Sequence, residues 1–253
     1  MRSLEHQEWA IVTGASSGIG YATVHALAQR EINVVIHYHS DHDGAQRLEE
    51  GVRKFGIKTA LVRGDFTRRE EIYQAMEDAI GAIPGGTVDI LVNNAGSLIH
   101  RYAFDEMPDD YWEQTLTLNL SSAYYTTRAV YHHLSEGARI VLVSSVAADN
   151  GGGPGALAYA AAKGGINTLT RGLAKELSSR NIRVNAISPG VINTLYHQKF
   201  STKDRLEAMR TRIPLGRMGD AQECAEVINF LTSSASSYMT GTIVPVHGGQ
   251  GLI

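Results

Sequence analysis

TGASSGIGYA, residues 13–22, stands between a short apolar run at 9–12 and a segment, 21–28, whose apolar residues recur at helical spacing. The stretch predicts a strand, a turn and a helix in succession. Such a turn gathers free backbone N–H groups and the positive end of a helix dipole at one point, and its small residues let an anion's oxygens come close. A glycine pair also closes ordinary βα turns, so the rest of the chain has to decide between a dinucleotide site and plain turn geometry.

The pattern repeats outward from that turn. Apolar, β-rich runs recur at 33–36, 59–62, 88–92, 139–143, 182–187 and 241–246, and segments with helical periodicity lie at 42–55, 68–81, 109–134, 157–179 and 220–233. Strands and helices alternate throughout. Near-continuous apolar strands joined by helices predict an α/β fold, a Rossmann-like doubly wound parallel sheet covered on both faces. The glycine-rich stretch at 151–155 shifts neither composition nor pattern, so residues 1–253 are expected to form one domain.

Composition narrows the function classes. The 253 residues are 43% hydrophobic and 19% charged with a net charge of -3, which argues against disorder and against nucleic acid as a partner. No apolar run approaches the ~20 residues of a membrane helix. A single cysteine, Cys224, and an opening MRSLEHQEWAIV without a long apolar stretch lead to the expectation of a cytoplasmic protein.

In a sheet of this kind, ligands bind at the carboxyl ends of the strands. Polar and glycine residues collect there: residues 13–20 after strand one, Gly64 and Asp65 after strand three, Asn93 to Gly96 after strand four, Ser144 and Ser145 after strand five, and Ser188, Pro189 and Gly190 after strand six. Their gathering on one edge favours the dinucleotide site. Beyond strand five, Tyr159 and Lys163 are four apart at the start of a predicted helix and share a face. An ammonium near a phenol favours the phenolate, which brings a group with an ordinary pKa of ~10 into range for proton transfer.

TGASSGIG, NNAG at 93–96, Asn119, the serine pair at 144–145, YAAAK at 159–163 and SPGVINT at 188–194 together resemble the short-chain dehydrogenase/reductase family in order and spacing, over nearly the whole chain. The resemblance implies a sheet of about seven strands, a nicotinamide cofactor, and hydride transfer between that cofactor and an alcohol or carbonyl. It carries the family's catalytic set onto Asn119, Ser145, Tyr159 and Lys163. Tyr159 would donate the proton in reduction, the serine would bond the substrate oxygen, Lys163 would lower the tyrosine pKa and hold the nicotinamide ribose, and Asn119 would help order a relay water. Ser145 lies fourteen residues before Tyr159, one more than is usual in the family, the extra residue being placed in loop 151–155; Ser144 is its alternative. The cofactor contacts implied are Gly14, Ser16, Ser17, Gly18, Ile19 and Gly20 at the pyrophosphate, Tyr38, His39 and Ser40 after strand two, Asp65 and Phe66 at the adenine, Asn93, Ala95 and Gly96 along the dinucleotide, Tyr159 and Lys163, and Pro189, Gly190, Ile192 and Thr194 beyond strand six.

Cofactor preference is read at the end of strand two, where an acid would pair with the ribose hydroxyls of NAD. Tyr38 holds that place, with His39 and Ser40 available to a phosphate, so NADP(H) is favoured over NAD(H). His37 and His39 share a strand face without a third ligand, and no metal is expected. The reaction expected is reduction resembling that of a 3-oxoacyl thioester; the alternatives are a sugar, polyol or other small-alcohol dehydrogenase using NAD(H), or a dinucleotide-binding regulator without catalysis. Arg128, Arg171, Arg180 and Arg183 are candidate contacts for an acyl carrier protein, but Glu136 sets an acid where a base would serve. Leu98, His100, Asp149, Asn150, Tyr196 and His197 are candidate pocket residues, and a substrate lid is expected at about 190–215. Helices at 109–134 and 157–179 are long enough to suggest a homotetramer.

Overall fold

The computed structural model describes residues 7–193 and 210–252. Strands β1 (Trp9–Val12), β2 (Asn33–Tyr38), β3 (Thr59–Arg63), β4 (Val88–Asn93), β5 (Leu134–Val143), β6 (Arg183–Pro189) and a later strand form one parallel sheet. Two short strands, β7 (Ile192–Asn193) and β8 (Gly219–Asp220), pair with each other, and the last strand is therefore β9 (Ile243–Val246). The sheet order is β3-β2-β1-β4-β5-β6-β9, the doubly wound arrangement expected. β1 lies between β2 and β4, with Ile11 opposite Val35 on one side and Leu91 on the other. Here the chain order reverses, and the connections after β1 and β4 leave in opposite directions and open a cleft.

The helices cover both faces. α1 (Gly18–Ala28), α2 (His42–Val52) and a late helix pack on one side; α3 (Arg69–Gly81), α4 (Asp109–Leu116), α5 (Ser122–Val130) and a long helix pack on the other. With the short α6 (Ala147–Asn150), the long helix is α7 (Leu157–Leu177) and the late one α8 (Ala221–Leu231). The strands are apolar because both of their faces are buried, as at Ile11, Val35 and Leu91, each fully enclosed. α2 shows the ordinary amphipathic logic, burying Ala45, Leu48 and Val52, and Asp41 caps it by accepting from the Gly44 N–H at 2.9 Å.

The helix expected over 109–134 is interrupted. A π-helical segment at Thr117–Ser121 joins α4 to α5, and after α5 a 3-10 turn at Tyr131–His133 leads into β5, which starts at Leu134 rather than at 139. Within the π segment the Asn119 side chain turns inward to bond a loop backbone. At the far edge of the sheet, Arg30, Arg139 and Arg183 converge on the last turn of α8 and the residues after it. Arg139 Nε donates to Thr232 O at 3.0 Å, and Arg183 Nη1 donates to Leu231 O at 3.1 Å. Arg30 Nη1 reaches Asn229 O at 3.2 Å, so carbonyls that no helix can satisfy internally are met by cations.

Candidate active site

A cleft of about 850 Å³ runs along the carboxyl ends of the strands. Gly14, Ser16, Ser17, Gly18 and Ile19 line one end of it, and Ser145, Tyr159 and Lys163 stand on its wall, with Pro189, Gly190 and Ile192 nearby. The local backbone explains the glycine turn. Gly14 has φ +62°, and a Cβ there would come within 2.9 Å of Ala95 Cα, so the turn after β1 can lie against the turn after β4 only with glycine at this position. Ser17 begins α1 without a side-chain cap bond, which leaves first-turn N–H groups facing the cleft as phosphate donors. Those features fit a dinucleotide pyrophosphate. Among the described residues no group of three or more His, Cys, Asp or Glu side chains could hold a metal ion.

Lys163 is nearly enclosed on the wall of the cleft. Its Nζ donates to Val143 O at 2.8 Å and lies 5.6 Å from the Tyr159 ring centroid, and burial pushes its pKa down to about 8. The Asn119 side chain grips the backbone of Ser97, with Oδ1 accepting from Ser97 N–H at 2.9 Å and Nδ2 donating to Ser97 O at 3.0 Å. Gly96 fits between these two side chains: a Cβ there would lie 2.8 Å from Asn119 Oδ1 and 3.0 Å from Lys163 Nζ. The two serines differ. Ser144 Oγ is buried toward α7, 2.7 Å from Asn167 Oδ1 and 3.1 Å from Lys163 O, whereas Ser145 Oγ accepts from Ala147 N–H at 3.2 Å on the cleft wall.

Other residues singled out from the sequence fall elsewhere. Tyr38 is buried, its hydroxyl 2.8 Å from His42 Nδ1, and it is His39, Ser40 and Asp41 that line the cleft after β2. Asn93 points away from the cleft and bonds Thr126 and Thr127 of α5. Asn94 is the residue that holds the glycine turn, donating from Nδ2 to Thr13 O at 2.8 Å and Gly14 O at 2.9 Å. Phe66 stacks on His37, and Gly20 packs against Asn94 and Gly14. The Asp65 carboxylate accepts from Thr67 and lies 3.8 Å from His39 Nε2. Burial pushes its pKa up, but the Thr67 bonds and the nearby His39 and Arg68 overcome this and hold it below the ordinary value.

Of the candidate pocket residues, Leu98 and Asn150 line the cleft, together with Arg101 and Arg212, which sequence reasoning missed. His100 offers its carbonyl to the Tyr111 hydroxyl, and Asp149 faces Asn167. Thr194, Tyr196 and His197 lie outside the described residues, as does most of the expected lid; its described flanks meet where Ile192 pairs with Gly219. The arginines considered for a carrier protein are partly spent inside the fold, Arg180 on the carbonyls of Tyr131 and Leu134 and Arg183 on the end of α8.

A family model described as enoyl-(acyl carrier protein) reductase matches residues 14–250. The 3-oxoacyl-(acyl-carrier-protein) reductase FabG of Pseudomonas aeruginosa is 37% identical over 243 residues, covering 95% of this chain and 96% of that protein. FabG of Thermotoga maritima is also 37% identical, over 241 residues, 94% of this chain and 96% of its own. Among solved structures, a short-chain dehydrogenase from Burkholderia cenocepacia in complex with NADP superposes with a TM-score of 0.89 at 30% identity, over 96% of this chain and 97% of that one. Acetoin dehydrogenase YohF from Salmonella typhimurium superposes with a TM-score of 0.86 at 33% identity, over 98% of both chains.

Proposed function

Because this chain belongs to the short-chain dehydrogenase/reductase family, whose members are NAD(P)-dependent oxidoreductases acting on CH–OH groups, we propose that it reduces the carbonyl of a 3-oxoacyl thioester or a compact analogue, with NADP(H) preferred. The observation that carries the reading is the meeting of Ser145, Tyr159 and Lys163 on one wall of a cleft whose far end is the uncapped N-terminus of α1. The nicotinamide supplies the hydride when bound. Tyr159 donates its hydroxyl proton to the carbonyl oxygen as that oxygen gains negative charge, and Ser145 hydrogen-bonds the same oxygen. Lys163 stabilises the phenolate left behind and holds the nicotinamide ribose. Asn119 fixes the Ser97 loop beside Lys163, and a water held beside Lys163 would return the proton.

Ser145 is preferred to Ser144 because the Ser144 hydroxyl is committed to Asn167 and the backbone of α7. The preference for NADP(H) is supported by His39 and Ser40 on the cleft lining and by the NADP bound to the Burkholderia relative. Asp41 also lines that end, with its Oδ1 committed to the cap of α2. Two of the four arginines considered for a carrier protein, Arg180 and Arg183, bond backbone carbonyls of the fold, which weighs against a protein-carried substrate, while Arg128 and Arg171 stay exposed. The whole chain acts as one catalytic unit. Purified protein with NADPH, then NADH, and either acetoacetyl-coenzyme A or acetoin's diketone precursor tests this: loss of NADPH absorbance with the thioester is expected. Faster NADH turnover with the diketone would favour the small-alcohol reading, which the likeness to acetoin dehydrogenase keeps in view.

A further inference from the structure

We infer that His37 is a positioning residue for dinucleotide binding, bracing the glycine turn after β1 against the turn after β3 and so setting where the phosphate-facing N–H groups stand. The inference rests on the dinucleotide reading of the cleft. His37 is 1% exposed near the end of β2. Its Nδ1 accepts from the Gly14 N–H at 3.0 Å, and its Nε2–H donates to Gly64 O at 3.1 Å. Only one neutral tautomer makes both bonds. The ring also stacks on Phe66, with centroids 3.9 Å apart and planes 22° apart.

These contacts join the turn that lines the cleft to the turn after β3, where Asp65 stands. The backbone carbonyl of His37 accepts from Ala15 N–H at 2.8 Å, so this one residue draws the N–H groups of both Gly14 and Ala15 inward. Asn94 holds the carbonyls of Thr13 and Gly14 from the other side. The turn is thereby gripped by its first residues, and Ser16 to Ile19 are left at the cleft. Gly64 and Phe66 flank Asp65, so the same imidazole fixes the turn after β3. An apolar residue at this strand position would leave the part-buried Gly14 N–H without its acceptor. Burial keeps the ring neutral, with a pKa pushed down to about 4 against the opposing bond to Gly64, and His39, itself 3.8 Å from Asp65, adds to the lowering.

The test compares wild type with His37→Asn and His37→Phe in a fluorescence titration with NADPH, alongside the cofactor-free thermal midpoint and the kinetic constants. Asparagine places its Oδ1 where Nδ1 stands and keeps an acceptor for Gly14, whereas phenylalanine keeps the stacking alone. His37→Phe is expected to weaken NADPH binding about tenfold or more, and His37→Asn by no more than about threefold, with the loss in KM for NADPH rather than in kcat. Wild-type affinity in His37→Phe, or equal losses in both variants, overturns the inference. A wild type that binds neither NADPH nor NADH refutes the dinucleotide reading itself. Should the variants fail to fold, nitrogen-15 spectra of the wild type decide: Nε2–H at neutral pH is expected, and an Nδ1–H or doubly protonated ring overturns it.

Discussion

Tyr159 is the residue on which the proposed chemistry turns. Its replacement by phenylalanine removes one oxygen and keeps the ring, so the fold and NADPH affinity should persist while kcat falls by about 10²–10⁴, the range for a lost general acid. Steady-state kinetics beside a cofactor titration checks both halves, and retained turnover refutes the role. Gly96 makes a second prediction of a different kind. A methyl group there meets Asn119 Oδ1 at 2.8 Å and Lys163 Nζ at 3.0 Å, both on side chains held by other bonds. Gly96→Ala should destabilise the protein by about 1–3 kcal/mol, as overpacking does, and lower kcat by displacing Lys163. Unfolding in urea and a turnover assay should move together; a fully active, fully stable Gly96→Ala shows the contact to be slack.

Individual elements separate the functional edge of the sheet from the structural one. At the carboxyl edge, α1 starts with its N–H groups open to the cleft; at the other edge, α8 ends with its carbonyls covered by Arg30, Arg139 and Arg183. Arg183 alone bonds Leu231 O, Ser233 O and Ser236 O. Arg183→Met keeps most of the apolar stem and leaves those carbonyls without their cation, which should reduce stability by about 1–3 kcal/mol. NADPH affinity should stay at the wild-type value, because the site is at the opposite edge. Chemical denaturation and a cofactor titration on one sample distinguish the two edges, and a weakened cofactor affinity would show them to be coupled.

On the scale of the whole molecule, acid should lower stability, with His37 contributing between its unfolded and folded pKa values. Its pKa is pushed from 6.5 down to about 4 by burial, with His39 adding repulsion, so the unfolded chain binds the proton more readily than the folded one. This stability is fully present above pH 6.5 and is lost as pH falls through about 4, amounting to about 3 kcal/mol in all. Denaturation midpoints across that range check the slope, and a flat profile shows that His37 charges freely in the fold. Assembly is the other prediction at this scale. Tyr124 on α5 and Leu157 at the start of α7 are 44% and 45% exposed, on the helices expected to meet a neighbour. We expect a homotetramer by light scattering at micromolar concentration, and Tyr124→Glu should weaken it; a wild-type monomer refutes the assembly.

Patterns that repeat along the chain were legible without a structure. The strands announce themselves because parallel strands buried on both faces must be continuously apolar, and the alternation with helices leaves only a doubly wound sheet, as observed in the order β3-β2-β1-β4-β5-β6-β9. Tyr159 and Lys163 were legible as a pair because residues four apart share a helix face. Side-chain direction at the end of a strand was not legible. Alternation says that Tyr38 and His39 point oppositely, but which of them meets the cleft depends on the twist of β2 and on His42, which takes the Tyr38 hydroxyl. Asn93 and Asn94 differ in the same way, one spent on α5 and the other on the glycine turn. The place of His37 between Gly14 and Gly64, like the convergence of three arginines on α8, belongs to tertiary structure alone, because it joins residues far apart in the chain whose meeting no local period encodes.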